Sequence, residues 1–198
     1  STLGFDKIYV INLKKRSDRK KKLKKDFPGV DFTFIEAIDG DELDLDTLIK
    51  NKTINSSFYD PAGLLTMGIL ACALSHMKAW NQALSDDVEN ALFLEDDVFS
   101  IDPCVKDKQY TPLYKSIIDE INGLDWDIIQ LGKQKQHNRG INIGNHLIIP
   151  RKGSNFNGAH SYVVKKETIK FLLNNVLPIK YAADVYLDQI SHPLNNFT

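Results

Sequence analysis

Apolar positions in this chain come in short continuous runs of strand length, separated by stretches with a helical period. Ile8, Val10, Ile11 and Leu13 make Lys7 to Leu13 a buried strand. Ser17 then predicts a helix N-cap, with Leu23 and Phe27 facing inward and Pro28-Gly29 as the stop signal. Phe32 to Ile38 reads as a second strand, closing at Asp39-Gly40. Strand, helix, strand in this order predicts a parallel pair joined by a right-handed crossover. Between Thr66 and Leu84 the residues Ile69, Cys72, Ala73, Met77, Trp80 and Leu84 recur at steps of three and four. That spacing predicts a long amphipathic helix with His76 and Lys78 beside its apolar stripe.

The run Ala91 to Leu94 follows and ends in Glu95-Asp96-Asp97. Thr111 and Pro112 predict the cap and first turn of a helix continued by Leu113, Ile117, Ile121 and Leu124, and Trp126 to Leu131 reads as another strand. Lys133 to Gly144 is polar and without period, which predicts an exposed loop beside the ligand, able to act as a lid. Strands at His146 to Ile149 and Ser161 to Val164, a helix from Glu167 to Leu177 and a short helix carrying Asp184 and Asp188 complete the pattern. The expected class is α/β, a single domain over 1–198 with a mostly parallel sheet flanked by helices.

With 198 residues and 42% apolar content, the chain is long enough for one sizeable core. A net charge of −1 argues against a nucleic-acid partner, which needs a basic excess. Charge is nevertheless segregated: Lys14, Lys15, Arg16, Arg19, Lys20, Lys21, Lys22, Lys24 and Lys25 form a basic block, and Asp39 to Asp46 an acidic stretch. The block reads as the solvated face of a helix, with a phosphate- or membrane-facing role, a peripheral contact, as the alternative. Cys72 and Cys104 make neither a disulfide framework nor a zinc spacing, and Cys72 reads as a small buried residue. No apolar stretch reaches the length of a membrane span. Ser1 in place of an initiating methionine fits a processed chain, a trimmed tag or a piece of a longer one.

The triplet Glu95-Asp96-Asp97 carries the most chemistry. A strand that releases three carboxylates at its end concentrates negative charge at the carboxyl edge of a sheet, where open α/β folds bind ligands. Carboxylates so close repel unless they are solvated, protonated or bridged by a cation, and an all-oxygen set suits a hard ion such as Mg²⁺ or Mn²⁺. A solvated turn is the alternative reading. Alternation along the strand predicts Glu95 and Asp97 on one side and Asp96 on the other.

Four segments, in order, resemble glycosyltransferase family 25, the lipooligosaccharide and collagen galactosyltransferases. They are Ile8-Tyr-Val-Ile-Asn-Leu-Lys-Lys-Arg-Ser-Asp-Arg19; Gly68-Ile-Leu-Ala-Cys-Ala-Leu-Ser-His-Met-Lys-Ala-Trp80; Ala91-Leu-Phe-Leu-Glu-Asp-Asp-Val98; and Gly158-Ala-His-Ser-Tyr-Val-Val164 with Asp184-Val-Tyr-Leu187. Ala71 stands for a second Gly, Ala159 where Thr is common, and Ala182-Ala183 where Pro-Ile or Pro-Val often precedes the Asp. None of these departures removes an acidic or imidazole group.

The resemblance implies a GT-A-like fold and an inverting, metal-dependent transfer of a hexose, galactose above others, from a UDP-sugar to a hydroxyl of a glycan or of a hydroxylysine-type acceptor on a glycoprotein. It implies Glu95 and Asp97 as ligands of Mn²⁺ or Mg²⁺, and Asn12, Leu13 and Arg16 beside the uracil and diphosphate. Ser75, His76, Lys78 and Asp96 would contact the donor, and His160 the donor or the metal. Asp184 or Asp188 would be the general base, with the roles of His160 and Asp184 open to exchange and a solvated helix position the favoured alternative for Asp188. For Arg16 and Arg19 the alternative is ordinary surface charge, stronger for Arg19; for Ser75 it is a bond back to the helix carbonyl. Two other readings compete: a non-catalytic sugar-nucleotide or glycan-binding module of the same fold, and a phosphoacceptor domain with an Asp pair after a strand. The compartment follows the host: cytoplasm or membrane periphery in a bacterium, the secretory-pathway lumen in a eukaryote, with a viral origin equally compatible.

Overall fold

The structure, a computed structural model, describes residues 2–55, 66–98, 112–131, 140–150 and 158–194. Its central sheet has five strands in the order β2-β1-β3-β7-β4. These are β1 (Lys7–Asn12), β2 (Phe32–Glu36), β3 (Asn90–Glu95), β4 (Ile128–Gln130) and β7 (Ser161–Lys165). β1 pairs in parallel with both β2 and β3, and β7 runs antiparallel between β3 and β4. Four strands therefore point one way and one the other. The expected mostly parallel α/β sheet is what the chain forms.

Strand alternation divides the core into two layers. Ile8, Val10, Leu92, Leu94 and Val163 face one side, where they pack with Leu23 of α1 (Ser17–Asp26). Tyr9, Ile11, Phe93, Tyr162 and Val164 face the other. That side is covered by α3 (Met67–Ser85), α5 (Lys166–Asn175) and α6 (Ala183–Leu194). Register places Tyr9 opposite Phe93 and Phe93 opposite Tyr162, so three rings stack across three strands at centroid separations of 5.5 and 5.3 Å.

Several expectations need correction. Ser17 is the first residue of α1, not its cap; Arg16 holds that position without a side-chain cap bond. The turn is fastened instead by Asn12, whose Nδ2 donates to the Arg16 carbonyl at 3.0 Å. The buried stripe of α3 runs through Leu70, Ala73, His76, Ala79, Trp80 and Ala83, a rotation that puts His76 inside it and leaves Ile69 and Met77 half-buried. Thr66 caps this helix, accepting the Ile69 N–H at 3.3 Å. The acidic stretch is not bare charge: Asp39 caps a short 3₁₀ turn at Gly40–Glu42 and Asp44 caps α2 (Leu45–Lys50).

α4 spans Pro112–Asn122 and ends before Leu124, which is exposed; its expected cap, Thr111, lies outside the described residues. Residues 132–139 of the expected loop also lie outside them, but Gly140–Asn142 is a strand, β5, paired antiparallel with β6 (Ile148–Pro150) in a separate hairpin. The basic block lies largely on the solvated face of α1, with Lys20 and Lys24 over the Phe34 ring. Among the described residues, no helix is long and apolar enough to cross a membrane.

Candidate active site

β1 leads to β2 on one side of it, and the sheet then continues from β1 to β3 on the other, so the strand order reverses between β1 and β3. The carboxyl edge at such a reversal is where open α/β sheets leave a crevice. Asn12 and Glu95 are the last residues of those two strands, and the antiparallel β7 begins at the same edge with Ser161. β3 stops at Glu95. Asp96 and Asp97 lie in a turn closed by Val98 N–H to the Glu95 carbonyl at 3.4 Å, so strand alternation does not extend to Asp97.

Asp96 faces α1. One carboxylate oxygen accepts from Asn12 Nδ2 at 2.7 Å and the other from Arg19 Nη1 at 2.7 Å. With its side chain only 9% exposed and both oxygens engaged, Asp96 fastens α1 to the sheet edge. Arg19 Nη1 also reaches Asp97 at 3.4 Å, and the Asp97 side chain is 54% exposed. Arg19, for which ordinary surface charge is the stronger alternative from sequence, is thus drawn into the edge. Arg19 reaches into the acidic cluster, whereas Arg16 turns outward and clasps Asp18 through Nε at 3.0 Å and Nη2 at 2.8 Å. That clasp pulls the Asp18 carboxyl down to about 2.

Glu95 faces α3. His76, fully buried, places Nε2 3.4 Å from Glu95 Oε1 and Nδ1 2.7 Å from the Tyr162 hydroxyl, which accepts Trp80 Nε1–H at 2.9 Å. Burial pushes the Glu95 carboxyl up, but the hydrogen bond from His76, with the Arg19 guanidinium nearby, brings it below the ordinary range. Glu95 is then an acceptor-only carboxylate, so Nε2 carries the ring hydrogen. Nδ1 is left to accept the phenolic hydrogen of Tyr162, which burial keeps on its oxygen. Trp80, Tyr162 and His76 form one hydrogen-bonded line that aims Nε2–H at Glu95. Sequence reasoning missed Trp80 and Tyr162 because their apolar bodies read as core.

The remaining expected residues divide between edge and core. Ser75 is buried; its Oγ donates to the Ala71 carbonyl at 2.6 Å and accepts the Ile38 N–H at 2.8 Å, tying the chain after β2 to α3. Lys78 is exposed and donates to the Glu36 carbonyl at 2.8 Å, and the Leu13 carbonyl accepts the Arg16 N–H at 2.8 Å. The His160 carbonyl accepts the Glu95 N–H at 3.0 Å. Gly158 has φ +92°, a conformation that favours glycine; its N–H donates to Asp184 at 3.2 Å and its carbonyl accepts from Gln130 at 2.9 Å. Asp184 also accepts the Val185 N–H at 2.8 Å, in the first turn of α6. Asp188 lies one turn further along α6, half-buried.

Among the described residues, two donor sets could hold a cation. Glu95 and Asp97 offer carboxylate oxygens at the solvent-facing edge, the chemistry a hard ion takes. Cys72, His76 and Glu95 offer sulfur, nitrogen and oxygen within 4.8 Å of one another. The Cys72 thiol is pushed up to about 12, by burial first and then by the charges of Glu95, Asp184 and Asp97, so it is no partner for Mg²⁺ or Mn²⁺.

Comparison with known proteins bears on this edge directly. The profile described as Glycosyltransferase family 25 (LPS biosynthesis protein) matches residues 5–187. Human procollagen galactosyltransferase 2 is 30% identical over 140 residues, covering 67% of this chain and 21% of that protein. A glycosyltransferase 25 family member of Anopheles gambiae is 28% identical over 210 residues, 99% of this chain and 34% of that protein. The human protein named inactive glycosyltransferase 25 family member 3 is 26% identical over 143 residues, 68% of this chain and 23% of that protein. The chain spans about a fifth to a third of the length of these curated relatives. A profile match that takes in β1, the turn after β3 and the start of α6 covers the edge described above from Asn12 to Asp184: the chain belongs to glycosyltransferase family 25.

Proposed function

We propose that this chain is a glycosyltransferase that moves a hexose, galactose above others, from a UDP-sugar to a hydroxyl of a glycan or glycoprotein acceptor. The observation that carries the reading is the acidic end of β3 at the point where the strand order reverses, within a family match over residues 5–187. The galactose preference leans on relatives named procollagen galactosyltransferases. Glu95 and Asp97 would hold the divalent ion, Mn²⁺ or Mg²⁺, which when bound supplies Lewis-acid stabilisation to a departing diphosphate.

The chain's own residues do the rest. The line from Trp80 to His76 keeps Glu95 ionised and oriented. Arg16 is placed to exchange Asp18 for a phosphate, because an exposed ion pair holds its partners only weakly. Asp184 takes the proton from the acceptor hydroxyl as its oxygen attacks the anomeric carbon and the bond to UDP breaks, inverting that carbon.

Incubation with Mn²⁺ and a panel of UDP-sugars, read as UDP release, tests the reading. The parent should turn over UDP-galactose fastest, and Asp97→Asn should lose most metal-dependent UDP binding while staying folded. Asp184→Asn should slow transfer by on the order of 10²-fold or more with UDP affinity within a few-fold. UDP binding without turnover of any donor would favour the non-catalytic module instead, a reading kept in view by the relative named inactive.

A further inference from the structure

Cys72 and His76 lie four residues apart on α3 and therefore share a face of the helix, with Glu95 opposite them at the end of β3. One ligand atom from each falls within a 4.8 Å cluster. The 3.4 Å between His76 Nε2 and Glu95 Oε1 is long for a charge-assisted hydrogen bond, which runs to about 2.9 Å. It equals the edge, about 3.4 Å, of a tetrahedron whose metal–nitrogen and metal–oxygen arms are about 2.1 Å. A sulfur, an imidazole nitrogen and a carboxylate oxygen make a mixed set that suits a borderline-soft ion, unlike the all-oxygen pair of Glu95 and Asp97.

We propose that Cys72, His76 and Glu95 form a three-ligand site for Zn²⁺, separate in chemistry from the hard-ion site but sharing Glu95 with it. Cys72 and Glu95 are partly exposed, so the ion has an entry path and its fourth position is left to water. Behind the ring, the Tyr162 hydroxyl at 2.7 Å from Nδ1 fixes the imidazole plane, the support that metal-bound histidines depend on. In binding, the thiol releases its proton to solvent as the Zn–S bond forms, the ring hydrogen moves from Nε2 to Nδ1, and the Tyr162 hydroxyl turns its own hydrogen away so that its oxygen accepts from Nδ1. Zinc on Glu95 offsets the negative charge that the hard ion needs and sets a second dication beside it, so zinc opposes the hard ion, a consequence that rests on the function proposed above.

Cobalt titration of the metal-free protein tests the site without reference to activity. The parent should develop a thiolate-to-cobalt charge-transfer band that saturates at one equivalent and is abolished by Zn²⁺. Cys72→Ser should lose the band and weaken Zn²⁺ by at least the about 10-fold that losing a partner of a metal ligand already costs. Cys104→Ser should keep the band, and Glu95→Gln should weaken it. No band in the parent, or an unchanged band in Cys72→Ser, overturns the site. In the UDP-release assay with Mn²⁺, Zn²⁺ should inhibit the parent and spare Cys72→Ser; equal sensitivity of the two overturns that opposition. If no donor is turned over at all, the transferase reading alone fails, and the cobalt band still decides the zinc site.

Discussion

Arg16 and Arg19 sit three positions apart on one turn of chain and differ in what they hold. Arg16 clasps a fully exposed carboxylate next to it in sequence, an arrangement with little hold on the fold. Arg19 holds Asp96, whose other oxygen is bound by Asn12, at a nearly buried position. Removing the guanidinium there leaves a carboxylate short of its cation, a larger loss softened because the Arg19 side chain is itself 35% exposed. Arg19→Ala should therefore cost about 1–2 kcal/mol in urea unfolding, and Arg16→Ala should leave the urea midpoint close to the parent's. Arg16→Ala should instead weaken UDP more than uridine, because its target would be phosphate. Equal stability losses for the two variants would remove Arg19 from its place as a fastener.

Among the helices, α1 is anchored by very little. Leu23 is the single buried residue in a segment that otherwise carries Lys20, Lys21, Lys22, Lys24 and Lys25 to solvent or onto the Phe34 ring. Propensity cannot hold ten residues helical in water, so the packing of Leu23 among Ile8, Val10, Leu92 and Leu94 sets where α1 sits. Leu23→Ala should cost about 2–5 kcal/mol, read as a lower urea midpoint. It should also loosen Arg19 from Asp96 and so weaken UDP binding, which an α1 merely draped on the surface would not do. α3 is the opposite case, nineteen residues with a capped start and a buried face that carries Ser75 and His76.

Across the whole molecule, the sheet is fastened at both ends. Opposite the acidic edge, Asp86 at the end of α3 accepts from Lys7 at 2.6 Å and from the Tyr9 hydroxyl at 2.7 Å. The Lys7 bond first, and then the Tyr9 bond, outweigh desolvation and hold the Asp86 carboxyl below its ordinary value. A carboxyl depressed in the folded state contributes stability fully above its unfolded pKa, and loses it as pH falls through the folded one. The melting temperature of the parent should fall as pH drops below about 4, the ordinary carboxylate range, and Asp86→Asn should be less stable at neutral pH but flatter over that acid range. A parallel shift of the whole curve would mean that the carboxylate's charge is irrelevant there.

Local pattern carried a large part of this. Period and punctuation in the sequence determined the order of the elements, the parallel start, and the emergence of Glu95 from a buried strand, because each depends on neighbours a few residues away. Caps and faces were less legible: Ser17 has the chemistry of a cap, yet Asn12 fastens that turn, and the face of α3 rotates because Tyr162 and Glu95 supply partners for His76. Only the tertiary structure decided which charges and rings meet. Arg19 and Asp96 are 77 positions apart, and His76 and Tyr162 are 86. Their contacts follow from β7 entering antiparallel between β3 and β4 and from α1 and α3 lying on opposite faces of the sheet. A strand's own alternation says which residues share a face, but not which strand will lie beside it, and the site is built from that adjacency.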